Sequence, residues 1–149
     1  MKEKKILSIG IDDVIADFSS ALKSFIFTEK YGRRPVNDSE LNFCLTEFTE
    51  QDLQAFKERA IDSGLYLSLS PIKGARRTLN KLRKNGFSIN IVSSRFFNEQ
   101  SDPTVLTHTA VWLNNHNLPY DSLSFTKNKE IFEGDVFIES HPEIIQTLK

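Results

Sequence analysis

The feature that most constrains the fold is an apolar run, Ile6 to Ile11, that stops at two aspartates, Asp12 and Asp13. A short run rich in β-branched residues suits a strand buried on both faces of a parallel sheet. Carboxylates at its C-terminal end then lie on the edge where open α/β sheets bind ligands. The same grammar recurs. "FSINIVSSR" ends in Ser93 and Ser94, "SLSF" is a short strand, and "DVFIES" (Asp135 to Ile138 as strand) ends in Glu139.

The segments between these runs carry helical spacing. "PIKGARRTLNKLRKNG" puts Ala75, Leu79 and Leu82 on one face and stops at Gly86, a C-cap residue. Asp102 and Pro103 make an N-cap and first-turn pair, after which Leu106, Ala110 and Leu113 share a face. "HPEIIQTLK" gives a closing helix begun by Pro142. From about Asp17 to Gly64 the spacing is wholly helical: Phe18, Leu22, Phe25 and Ile26 form one face, and Leu53, Phe56, Ala60 and Ile61 another. Gly32 and Pro35 break these helices, and Thr49 to Asp52 starts one. The expected architecture is an α/β doubly wound parallel sheet with a small helical cap inserted after the first strand. Core is expected over 1–16 and 70–149, and cap over 17–69.

Composition removes several function classes. With 19 basic and 20 acidic residues, a net charge of −1 provides no field for nucleic acid or an anionic membrane. No apolar stretch is long enough to cross a bilayer, and the N-terminus reads as a strand, not a signal peptide. One cysteine, Cys44, excludes an internal disulfide, so a cytoplasmic location is expected.

Parallel strands bring Asp12, Ser93, Ser94 and Glu139 to one edge, and "FTKNKE" adds a lysine, Lys127 or Lys129. Carboxylates that can hold a hard cation, with a hydroxyl and an ammonium for phosphoryl oxygens, are the parts of a magnesium-dependent phosphoryl transfer site. His141, with no His or Cys cluster, does not make a transition-metal site. Trp112 and the 12 phenylalanines read as core and cap packing, and Arg33, Arg34, Arg76 and Arg77 as solvated charge.

In their order, "GIDDVIADF", "PIKGARRTL", "IVSSR", the lysine and "FIESHPE" resemble the haloacid dehalogenase superfamily, in particular its 5'(3')-deoxyribonucleotidase-like branch. The resemblance covers nearly the whole chain. It implies that Asp12 is the general acid/base and offers its backbone carbonyl to magnesium. By the same resemblance Ser93, with Ser94 beside it, binds phosphoryl oxygens, Lys129 (Lys127 as runner-up) neutralises phosphate, Glu139 ligates magnesium, and Asp17 and Phe18 stand at the substrate mouth.

It also implies that Gly10 occupies the place of the aspartyl nucleophile, and Ser140 that of a second acidic residue. A glycine cannot form the covalent intermediate. The resulting expectation is a scaffold for a phosphomonoester hydrolase, catalytically impaired or inactive, with magnesium weak or absent. Such a protein would be retained for a small phosphorylated metabolite, such as a nucleotide, or a partner. The alternative is an active magnesium-dependent phosphatase on nucleoside monophosphates, including one that uses direct water attack. The chain stops one helix after "FIES", so an open sheet edge, and through it a homo-oligomer, is also expected.

Overall fold

A computed structural model describes residues 3–95, 103–129 and 134–140. The chain opens with strand β1 (Lys5–Ile9) and then passes through four helices: α1 (Phe18–Tyr31), α2 (Asp38–Thr46), α3 (Glu50–Asp62) and α4 (Leu65–Ser68). It continues through α5 (Ala75–Lys84), β2 (Phe87–Ser93), α6 (Pro103–Asn115), β3 (Ser122–Phe125) and β4 (Val136–Ile138). The four strands form one parallel sheet in the order β3-β2-β1-β4. The expected α/β architecture is present, with the helical insert between β1 and α5.

Register places the strand ends together. Ile9 lies opposite Ile91 of β2 and Ile138 of β4, and Ser93 lies opposite Phe125. Residues just beyond these pairs therefore share one rim of the sheet. Pleating sends Leu7 and Ile9 to one face, where Ile89, Ile91, Leu79, Trp112 and Leu113 complete the main core. Gly10 lies one step beyond Ile9 and so faces the other way.

Two expectations shift. The strand predicted to run from Ile6 to Ile11 ends at Ile9, because the Ile11 carbonyl turns to accept from the N–H groups of Val14, Ile15 and Ala16 at 3.0–3.1 Å. On α6 the fully buried face is Val105, Thr109, Trp112 and Leu113, while Leu106 and Ala110 are half-buried. Thr109 can be buried because its hydroxyl donates to the Val105 carbonyl at 2.8 Å and accepts from Arg95. The helix boundaries hold: Gly86 follows α5 at φ 91°, and Thr49 starts α3 with a reciprocal capping box to Asp52.

The insert packs in two parts. Ile26 and Phe27 centre a separate cluster with Leu41, Leu45, Phe48, Leu53 and Phe56, whereas Ala60, Ile61, Leu65, Tyr66 and Leu69 join the main core. The Trp112 indole N–H donates to the Leu69 carbonyl at 2.7 Å, fixing this second part to α6. Both crossings of the chain are tied side by side. The Asp17 N–H donates to Ser70 at 2.9 Å, and the Ile72 N–H to Ile15 at 2.8 Å. Among the described residues no strand pairs with the outer side of β4. The expected closing helix from Pro142, His141 and the Asp102 cap lie outside the described residues.

Candidate active-site cleft

The rim of the sheet opens into a cleft of about 260 Å³, lined from the core by Asp12, Asp13, Ser93, Ser94, Arg95, Lys129 and Glu139 and from the insert by Phe18, Ser19, Lys57 and Tyr66. Asp12 follows β1, and its carboxylate is bound on both oxygens by the Arg95 guanidinium: Nη2 to Oδ1 at 2.6 Å and Nε to Oδ2 at 3.2 Å. A planar fork on a carboxylate is the strongest pairing these groups make. Arg95 is 2% exposed. Its remaining Nη1 donates to Thr109 at 3.0 Å, and the Tyr66 ring covers it at 3.9 Å. The Asp12 carboxylate is thus held by a buried cation that also touches α6 and the insert.

Asp13 takes the left-handed conformation, at φ 60°, which a short polar side chain tolerates. Its carboxylate accepts from the Ser19 N–H at 2.8 Å and the Ser19 hydroxyl at 2.5 Å, binding the start of α1 to the end of β1. Asp17 caps the same helix through the Ser20 N–H at 3.3 Å and does not line the cleft; Phe18 does, stacked on Tyr66 with ring centres 6.0 Å apart. Ser93 is buried, and its hydroxyl accepts from the Arg95 N–H at 3.2 Å.

Of the two candidate lysines, Lys127 is exposed and Lys129 is buried against the cleft. The Lys129 ammonium pairs with Glu139 Oε2 at 2.5 Å, with the two side chains 9% and 5% exposed. The other carboxylate oxygen accepts from the Ser140 N–H at 2.9 Å, and the Ser140 hydroxyl donates to the Asp12 carbonyl at 2.9 Å.

Gly10 lies behind this pair. It does not line the cleft but a void of about 10 Å³ on its far side, where Lys129 and Glu139 also appear. A Cβ at position 10 would stand 2.7 Å from Glu139 Oε2 and 2.8 Å from Oε1. The Glu139 carboxylate therefore fills the space into which a residue-10 side chain would project.

These donors do not fit a magnesium ion. A hard cation needs several free oxygens, preferably charged. Here the Asp12 and Glu139 carboxylates are each satisfied by a buried cation, and the Asp12 carbonyl already accepts from Ser140. Among the described residues no three His, Cys, Asp or Glu side chains converge as a metal site.

The model of the family described as 5' nucleotidase, deoxy (pyrimidine), cytosolic type C protein matches residues 4–149. The chain belongs to that family. A protein of Chlorobaculum tepidum provisionally named a 5'(3')-deoxyribonucleotidase is 28% identical, over 99% of this chain and 75% of its own length. Among solved structures, a hydrolase from Streptococcus pneumoniae TIGR4 has a TM-score of 0.58 at 14% identity, covering 98% of this chain and 88% of its own. A haloacid dehalogenase-like hydrolase from Streptococcus pneumoniae has a TM-score of 0.56 at 8% identity, covering 99% of this chain and 81% of its own. Both show the fold, a haloacid dehalogenase-like α/β core.

Within this nucleotidase-family chain, Asp12, Ser93, Ser94, Lys129, Glu139 and Phe18 meet at one cleft. Sequence reasoning missed Arg95 and Tyr66. Arg95 stands inside the quoted "IVSSR", but its partners come from residues 12, 66 and 109. A lone arginine directly after two strand-end serines, facing an aspartate at the neighbouring strand end, was the available signal.

Proposed function

We propose that this nucleotidase-family chain binds a small phosphorylated metabolite, foremost a nucleoside monophosphate, in the cleft and turns it over poorly or not at all. One observation carries the reading: position 10 offers no carboxylate, and the space for one is taken by Glu139. The covalent route implied by the sequence resemblance needs a carboxylate to attack phosphorus and a second group to protonate the leaving oxygen. The first reagent is missing, and the second, Asp12, is neutralised by Arg95.

The binding parts are still present in the cleft. Ser93, Ser94 and Lys129 supply donors and positive charge for phosphoryl oxygens, and Phe18 with Tyr66 supplies an apolar wall for the rest of the ligand. In this reading Asp17 acts through Phe18, by fixing the first turn of α1.

The test is phosphate release from nucleoside monophosphates, with magnesium present, by the native chain, Gly10→Asp and Gly10→Asp/Glu139→Asp. The native chain should stay at background. Gly10→Asp alone should gain little, because its side chain meets the Glu139 carboxylate within van der Waals distance. The double variant, shorter by one methylene at 139, should gain more. Turnover by the native chain that Asp12→Asn abolishes would replace this reading with that of an active phosphatase.

A further inference from the structure

We infer that Glu139 sets the anion affinity of the cleft: its carboxylate is a resident counter-ion lodged in the space that glycine leaves at position 10, and a phosphate binds by displacing it from Lys129. The inference rests on the phosphate-binding reading above and says what that binding must overcome.

Three observations carry it. Gly10 is not required by its backbone, because its φ lies outside the left-handed region in which Gly32, Gly64, Gly74 and Gly86 sit. What requires glycine is contact: a Cβ would meet both Glu139 oxygens at 2.7 and 2.8 Å and its carboxyl carbon at 3.0 Å. Second, the plug is anchored at both oxygens, one on Lys129 at 2.5 Å and one on the Ser140 N–H at 2.9 Å. Third, Lys129 and Glu139 both line the cleft and are paired with each other, so a ligand reaching the Lys129 ammonium meets the Glu139 carboxylate beside it.

The charged side chains of the cleft balance in number: Asp12 pairs with Arg95 and Glu139 with Lys129, and Asp13 and Lys57 add one charge of each sign. A phosphate dianion entering this cleft meets no surplus positive charge. It must either repel the Glu139 carboxylate at close range or take its place on the ammonium, and at short separation in a partly buried site that repulsion is large.

The experiment is calorimetric titration with inorganic phosphate of the native chain, Glu139→Gln, Gly10→Ala, Ser93→Ala and Glu139→Gln/Lys129→Met, each checked for native circular dichroism. Glu139→Gln keeps the shape and the acceptor for Ser140 but removes the charge, and should tighten phosphate binding at least tenfold. Gly10→Ala leaves every charge in place and expels the carboxylate by contact alone, so it should shift affinity the same way by a smaller factor. Adding Lys129→Met should erase the gain. Phosphate binding that is weakened by Ser93→Ala yet unchanged or weakened by both Glu139→Gln and Gly10→Ala overturns this inference alone. An absence of binding in every variant overturns the phosphate-binding reading with it.

Discussion

The two rims of the sheet use aspartate and glutamate in opposite ways. At the N-terminal rim Asp121 and Asp135 each stand one residue before a strand and clip it to its neighbour. Asp121 accepts from the Ile89 N–H at 2.8 Å and its own N–H donates to the Ile89 carbonyl at 2.7 Å. Asp135 makes the same reciprocal pair with Ile6, at 2.7 and 2.8 Å. At the C-terminal rim Asp12 and Glu139 bind buried cations instead. The first arrangement sets register and leaves the carboxylates near water. The second keeps charge at the cleft by neutralising it, and buried pairs of this kind are fragile to the loss of one partner.

The sharpest break of this contrast is Asp12→Ala. It strands a guanidinium whose side chain is 1% exposed, and should cost about 3–5 kcal/mol in urea unfolding. Arg95→Met should cost less, since the Asp12 side chain, 25% exposed, can rehydrate. Combining the two should recover part of the Asp12→Ala loss, and a double-variant cost equal to the sum of the two single costs would mean the pair is not coupled.

Asp121→Ala should cost about 1–3 kcal/mol, the usual penalty for leaving a part-buried N–H unsatisfied. The Ile89 N–H, with help from Arg83, holds the Asp121 carboxyl below the ordinary carboxylate range. A lowered folded value means the contribution is fully present above the unfolded value, about 4, and is lost as pH falls through the lower folded value. The amide of Asp121→Asn still accepts from Ile89 but does not titrate. Its stability difference from the native chain should be under about 1 kcal/mol at neutral pH and should shrink below about pH 4. A difference that grows on acidification would contradict the clip.

The smallest effect expected is with magnesium. Because the oxygens at the cleft are already engaged, Asp12 and Glu139 by cations and Asp13 by Ser19, millimolar magnesium should shift the melting temperature by less than about 1 °C, as a ligand far below its Kd does. A clear stabilisation would mean that Glu139 leaves Lys129 for the metal.

Local pattern carried the architecture into the sequence. Apolar runs ending in Asp12, Ser93 and Glu139, caps such as Thr49 with Asp52, and Gly86 after α5 are all set by neighbours a few residues away. Pairing across the fold is another matter. Nothing within ten residues of Arg95 indicates Asp12, Thr109 and Tyr66, and nothing near Gly10 shows that Glu139 reaches into its space. The α6 face was displaced for the same reason: Thr109 reads as polar until Arg95 gives it a partner. Asp121 and Asp135 had a local signal, an aspartate directly before a short strand, but it resembles any polar turn residue.

The paired crossings between insert and core have a mechanical consequence. Because Ile15 to Asp17 and Ser70 to Ile72 are bonded to each other, the two connections form one strap, and any motion of the insert is expected to swing about that single place and not to slide. With Tyr66 seated on Arg95, Leu69 bonded to Trp112, and Phe18 and Phe25 packed on the main core, the part left to move is the outer cluster around Ile26 and Phe27. A spin-label pair with one label on α2 and one on α5 would therefore report an arc, while a pair from α4 to α6 would stay at fixed separation.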